Sequence, residues 1–195
     1  MKKSLVHLLI LVVFFAPSLV WGNEWKIDVN HSSIRFGVKH IFSTVSGYFP
    51  DFKGKIVFDP DALDQSAFDF TVKVKSINTA NTKRDTHLRS DDFFSADTFP
   101  NMKFRSSKIV HQGGSLYVVT GTMTLKETSR SMDIPFTFHG VLPSPFNKKE
   151  EVAGFDTEFT INRLDFGVGS GKFSKMGVVD EMVRVVISIE ALGEI

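Results

Sequence analysis

Arg84, Asp85 and His87 are the residues of this chain best placed to do chemistry. On a helical turn Arg84 and His87 share a face at i, i+3. A guanidinium fork beside an imidazole suits a polar clamp for an oxygen-rich head group such as a phosphate or a quinone. The same spacing also suits ion pairs and hydrogen bonds that fasten an insert to its neighbour. That bracing role is the commoner use of charges near loops and the one these residues favour.

Other patterns are weaker. Asp156 and Glu158 lie two apart on one strand face, as paired carboxylates for acid–base work would. Phe155 and Phe159 hold the opposite face, which turns the acids to solvent. His31 and His40 are nine apart, which puts them on opposite faces of a strand. His111 sits beside a Gly-Gly turn and reads as exposed. Without a His-Glu-x-x-His spacing, no metal centre is expected. Gly167, Gly169 and Gly171 make a glycine-rich loop, but it lacks the Lys-Ser/Thr ending and the following helix of a phosphate-binding loop. Ser32 beside His31 is adjacency without triad geometry. No catalytic residue and no metal ligand is assigned.

These residues must be positioned by a chain of 195 residues, 42% hydrophobic and 23% charged, a balance that excludes wholesale disorder. The sequence has no cysteine, so a disulfide scaffold, a thiolate metal site and a cysteine nucleophile are all excluded. Residues 1–22 have the layout of a cleavable secretory signal. Lys2 and Lys3 form a positive start, Leu5 to Ala16 is apolar apart from His7, and Val20 and Gly22 place small residues before a cut. The remainder, 23–195, reads as one domain directed to the periplasm, with no membrane span of its own. Taking Lys2 and Lys3 from 23 Lys+Arg leaves 21 against 22 Asp+Glu, a net of −1. So balanced a charge gives no field for nucleic acid, which is not expected as a partner.

Period-2 alternation dominates the rest. It predicts strands near 25–39 (long or broken), 46–58, 67–77, 101–110, 115–125, 131–142, 151–162 and 181–192. Asp59-Pro60-Asp61 and Gln112-Gly113-Gly114 supply turns. The stretch from Asn78 to Asn101 does not alternate and reads as one or two short helices. One face of each strand is apolar, so the fold class is all-β, antiparallel, a sandwich or an eight-strand barrel.

A barrel of eight strands can be filled by its side chains or can hold one small ligand. A ten-residue strand rises ~33 Å and, tilted by about 40°, stands roughly 25 Å tall. The expected inward face collects Phe36, Phe68, Phe70, Phe104, Phe136 and Phe138, with Phe155 and Phe159. Val38, Val72, Met102, Val185 and Ile187 extend it. Phe42, Leu88, Phe93, Phe94, Phe99 and Phe166 are assigned to the lining or mouth, together with Arg84 and His87. A long dry tube of this kind suits a long apolar guest, and a filled core of stacked Phe suits the same pattern.

The sequence then resembles the YceI-like family. Trp25-Lys-Ile-Asp28, His31-Ser-Ser-Ile34-Arg-Phe36-Gly-Val38 and Val45-Ser-Gly47-Tyr-Phe49-Pro-Asp-Phe52 are similar to its opening. Arg84-Asp85-Thr-His87-Leu88-Arg-Ser90-Asp-Asp92-Phe93-Phe94 is similar to its central block. Gly121-Thr-Met-Thr124-Leu125 and Arg163-Leu-Asp165-Phe166-Gly167 are similar to later blocks. The likeness runs from about residue 25 to the C-terminus. One departure is the turn after Leu125, where Lys126-Glu127 stands in place of a glycine turn. The resemblance implies an extended eight-stranded, lipocalin-like antiparallel barrel with a short helical insert around 78–100. It implies an exported carrier that binds a long-chain isoprenoid lipid or quinone, with no catalytic cofactor, and it is compatible with a homodimer. The competing readings are an enzyme acting on a prenyl lipid and a filled-core, stress-related protein that binds partners through its surface.

Overall fold

A computed structural model describes residues 24–195; the leader assigned to residues 1–22 lies outside the described residues. The strand segments are β1 (Glu24–Ile27), β2 (Ser33–His40), β3 (Ser43–Tyr48), β4 (Phe52–Val57), β5 (Ala67–Lys73), β6 (Asn101–Gly113), β7 (Leu116–Leu125), β8 (Thr128–Pro143), β9 (Glu150–Asn162) and β10 (Val179–Glu194). They form one antiparallel sheet in the order β1-β4-β5-β6-β7-β8-β9-β10-β2-β3, closed by the pairing of β1 with β10. Both β1 and β2 pair with β10, so they are one strand broken at residues 28–32. Likewise β3 pairs with β2 and β4 with β1, so they are a second strand broken around Pro50, which has no N–H for the ladder. The result is the closed eight-stranded, lipocalin-like barrel expected from the sequence.

The expected strand over 67–77 stops earlier. Lys73 ends β5, and Val74–Ser76 turn as a 3-10 helix whose Val74 N–H donates to the Pro100 carbonyl at 3.0 Å. This opens an insert running to Pro100. Its helix α1 (Thr82–Arg89) begins where the Asn81 side chain accepts from the Arg84 N–H, a standard N-cap. A second helix, α2 (Lys172–Lys175), precedes β10. The β7–β8 turn places Lys126 at φ +52, a left-handed conformation where glycine was expected. Its Nζ reaches the Gly167 carbonyl at 2.9 Å, a contact that offsets the conformational cost.

Inward-facing residues differ between the two ends of the barrel. At the end bearing the β6–β7 and β8–β9 turns the interior is solid. The Phe58 ring lies 4.9 to 6.0 Å from the rings of Phe68, Tyr117, Phe136, Phe138 and Phe155. Toward the insert, Phe36, Phe70, Met123, Phe159, Val183 and Val185 also point inward by strand parity, yet they are only half-buried. They face a hollow.

Three inward glycines explain why the hollow is not filled by its own phenylalanines. A β-carbon on Gly47 would fall 2.4 Å from Phe36 Cζ, one on Gly54 2.7 Å from Phe70 Cδ1, and one on Gly121 2.4 Å from Phe104 Cζ. Each ring therefore lies flat against the wall, over the bare backbone of a neighbouring strand. Bulky side chains line the lumen without crossing it.

Candidate functional site

The hollow is a cavity of about 240 Å³. That exceeds the ~150 Å³ apolar cavity that stays dry and accepts benzene in another protein. Its floor is set by Ile56, Phe68, Phe136, Phe155 and Ile189. Its far end is closed by Leu88, Phe93 and Phe94 of the insert, with Leu125 and Val168. Between Val179 and Ile189 the wall runs ~33 Å along β10. At a strand tilt of about 40° that is roughly 25 Å of barrel height.

Strand pairing explains which side chains meet. Val38 stands opposite Val183, Phe36 opposite Val185 and Ile34 opposite Ile187. On the next strand Ile161 faces Val183, Phe159 faces Val185 and Thr157 faces Ile187. The lumen thus has layers, each drawn from adjacent strands. Arg35, Lys103 and Asp156 also border the cavity, but each is exposed and lies between inward neighbours, so parity turns its side chain out. Thr157 Oγ1 donates to the Pro135 carbonyl at 2.6 Å and offers the lumen little polarity.

Of the residues assigned from the sequence, Phe36, Val38, Phe68, Phe70, Val72 and Leu88 border this cavity. So do Phe93, Phe94, Met102, Phe104 and Phe136, with Phe155, Phe159, Val185 and Ile187. Six assigned residues do not. Phe42 is 96% exposed at the tip of the β2–β3 hairpin, where the chain has already turned away from the barrel axis. Phe138 is inward but sits below the floor, packed on Phe58. Phe166 is buried in a satellite cluster with Phe93, Leu125 and Val168. Phe99 carries the Lys126 ammonium over its ring at 5.9 Å instead of facing the lumen.

Arg84 and His87 brace the insert. Arg84 Nε donates to Thr79 Oγ1 and Nη2 to the Thr79 carbonyl, both at 2.8 Å. Buried Asp85 accepts from the Thr79 N–H at 2.9 Å and from Thr79 Oγ1 at 2.6 Å. His87 Nε2 lies 3.0 Å from Asp92 Oδ2, with its ring edge on Phe93 at 5.0 Å. The head-group clamp considered for these residues is not formed at the cavity; their polar atoms are engaged within the insert.

Arg163, which the sequence did not single out, borders the cavity with its guanidinium turned to the main-chain carbonyls of Asp180 and Val168. It is 6% exposed, and among the described residues only it and Asp85 are charged and buried. Arg163 begins the 3-10 turn Arg163–Phe166 that follows β9. Burial holds its guanidinium below the usual arginine range, opposed by the nearby Glu181 and Asp180 carboxylates. Phe49 is a second missed wall residue, packed at 5.5 Å on Phe36 and 6.2 Å on Phe94. Strand parity through Val45 and Gly47 could have found it; a lone arginine after a strand gives no comparable signal.

Among the described residues, one group has metal-ligand geometry: Asp28, His31 and Glu190, with one donor atom each within 4.8 Å of the others. His31 and Glu190 are exposed and Asp28 is partly buried, and the group lies at the break between β1 and β2. Its two closest members already hydrogen-bond, with His31 Nδ1 2.8 Å from Asp28 Oδ2.

A closed antiparallel barrel around one apolar chamber defines a lipocalin-like protein of the binding class. Comparison with known sequences and structures agrees. Residues 25–191 match the YceI-like domain, and the chain belongs to the YceI-like family. It is 29% identical over 197 residues to a UPF0312 protein of Photorhabdus laumondii, covering 100% of this chain and 99% of that one. The crystal structure of BcnA from Burkholderia cenocepacia superposes with a TM-score of 0.75 at 26% identity, over 84% of this chain and 98% of that one. A polyisoprenoid binding domain from Saccharophagus degradans shares the fold, with a TM-score of 0.62 at 14% identity over 87% and 97% of the two chains.

Proposed function

We propose that this chain is an exported, non-enzymatic carrier that holds one long-chain amphiphile of the isoprenoid type inside the barrel. The observation that carries this reading is the cavity of about 240 Å³, apolar from its phenylalanine floor to the insert. Each buried CH₂ contributes about 0.8 kcal/mol. A tail of ~15 carbons therefore yields about 12 kcal/mol before ordering costs are subtracted. Such binding needs no hydrogen bond to the tail, and it discriminates poorly between tails differing by one carbon.

Support also comes from the fold shared with the polyisoprenoid binding domain of S. degradans. The polar side chains at the wall, Arg163 and a threonine hydroxyl bound to a carbonyl, supply no general base at neutral pH. The signal-like residues 1–22 support export to the periplasm. Protein purified from its own host, extracted with organic solvent and analysed by mass spectrometry, is expected to release a stoichiometric prenyl-chain lipid. Empty protein whose melting temperature does not rise with any prenyl compound would overturn the reading.

A further inference from the structure

We propose that the insert end of the barrel docks on an anionic bilayer surface, with Ile41, Phe42 and Met176 entering the lipid interface and Lys39, Lys172 and Lys175 facing its head groups. This rests on the carrier reading above and adds the surface from which such a carrier loads and unloads.

The β2–β3 hairpin turns on two residues, Ile41 and Phe42, between the paired His40 and Ser43. Turns this tight favour Gly, Asn or Asp, above all where φ is positive. Ile41 has φ +52, a conformation in which a β-branched side chain is a genuine outlier. Glycine would relieve the backbone there, so the tip keeps its apolar bulk at a conformational cost, a pattern that clusters at functional sites. That bulk is not buried: Phe42 is 96% exposed, and Ile41 is exposed beside it.

The tip is fastened to a second exposed apolar residue. The Ile41 N–H donates to the Val178 carbonyl at 3.1 Å, which ties the hairpin to the segment between α2 and β10. In that segment Met176 is 63% exposed. His40 pairs with Val179, and Val179 borders the cavity, so these side chains stand at the insert end of the chamber.

The free charge around the tip is positive. Lys39 precedes it on β2, and Lys172 and Lys175 belong to α2. All three are exposed, and among the described residues none has a carboxylate oxygen within 4.0 Å. Asp180 and Glu181, at the start of β10, oppose the Arg163 guanidinium instead. Peripheral membrane binding grows with the apolar area inserted and with the attraction of cations to anionic lipid, and this end supplies both. The opposite end supplies only the first. Phe146 is 94% exposed at the β8–β9 turn beside Lys148 and Lys149, but Glu150 stands opposite Glu194 there and Glu151 follows, so acids outnumber lysines.

The test sediments the full mature protein with sucrose-loaded vesicles, either phosphatidylglycerol mixed equally with phosphatidylethanolamine or phosphatidylcholine alone. Wild type is expected to partition onto the anionic vesicles about tenfold or more over phosphatidylcholine, and to be released by salt. Phe42→Ser should weaken this binding about tenfold, the Lys172→Gln, Lys175→Gln double variant should lose most of the preference for anionic lipid, and Phe146→Ser should bind as wild type does. Circular dichroism checks that each variant is folded; these side chains are exposed, so folding is expected to survive. Wild type that ignores anionic vesicles, Phe42→Ser that binds as wild type does, or equal loss in Phe146→Ser would overturn the docking surface. So would a dimer in sedimentation equilibrium that Phe42→Ser dissociates, since a second copy would then cover the tip. Binding of a fluorescent fatty-chain probe in solution separates the two readings. Probe binding without vesicle binding overturns the docking surface alone, and vesicle binding without probe binding overturns the carrier alone.

Discussion

The indole Nε1 of Trp25 donates to the main-chain carbonyl of Phe58 at 3.0 Å, which ties the start of the first strand to the ring packed beneath the cavity floor. Phe58 is 1% exposed and central to the aromatic packing of that end. Phe58→Ala should therefore cost about 3–5 kcal/mol, measured by urea titration. It should also deepen the chamber, shifting preference toward longer alkyl chains. A loss below about 1 kcal/mol would show that the floor is not packed as described.

The wall glycines give a prediction about capacity that is separate from stability. At Gly47 all three close neighbours of an added β-carbon are side-chain atoms, two of Phe36 and one of Thr79. Gly47→Ala should push the Phe36 ring off the wall and into the lumen. Chain binding is expected to weaken about tenfold or more, the equivalent of roughly two buried CH₂ groups. Unchanged affinity in a titration with a fluorescent fatty-chain probe would contradict this account of the wall.

Asp85 holds the insert through Thr79, and Thr79 in turn holds Arg84. Asp85→Ala leaves the buried Thr79 N–H and hydroxyl without that acceptor, a cost of about 2–4 kcal/mol at ~1–3 per orphaned group. Hydrogen exchange should show residues 74–100 losing protection while β7 to β10 keep theirs. Uniform loss across the barrel would mean the insert is not a separate unit.

The Asp28–His31 pair predicts a pH window. The hydrogen bond from His31 lowers the Asp28 pKa below its ordinary 3.8, against a smaller opposing effect of burial. The hydrogen bond to Asp28, with its charge, raises the His31 pKa above 6.5. A lowered carboxylate stabilises above its unfolded pKa and loses that effect as pH falls through the folded value. A raised imidazole stabilises below its unfolded pKa and loses the effect as pH rises through the folded value. The pair thus contributes most between about pH 4 and pH 6.5. The melting-temperature difference between wild type and His31→Gln should be largest between the unfolded pKa values of the two groups and fade as pH rises through the raised His31 pKa. His31 is solvent-exposed and Asp28 only partly buried, so the amplitude should be small. A difference that grows toward alkaline pH would refute the assignment.

Much of the barrel could be read from alternation alone, because a closed antiparallel sheet with one wet face imposes period 2 on each strand. The break in the first strand was visible as an overlong run, whereas 46–58 read as one strand and the break around Pro50 was missed. What alternation does not report is depth. Phe138 and Phe155 have the same inward parity and stand directly opposite each other, yet only Phe155 borders the cavity, while Phe138 packs on Phe58. Nor does it tell a ring that crosses the lumen from one laid over a glycine. Arg84 attracted attention because charges clustered around it. Arg163 did not, because nothing in a linear sequence distinguishes an arginine held by main-chain carbonyls from one in water.

The barrel's two ends are sealed by different means, and traffic follows from that. The aromatic end is interlocked with the ladder, so it opens only when the domain unfolds. Residues 74–100 pack on the barrel through Ile77, Leu88, Phe93 and Phe94, and one isolated bridge, Tyr48 to Asn78, joins the insert's start to β3. For the carrier proposed above, this makes the insert's end the doorway for both arrival and departure of the guest. Exchange is then timed by the breathing of one short segment, and a very durable scaffold can still release its cargo quickly.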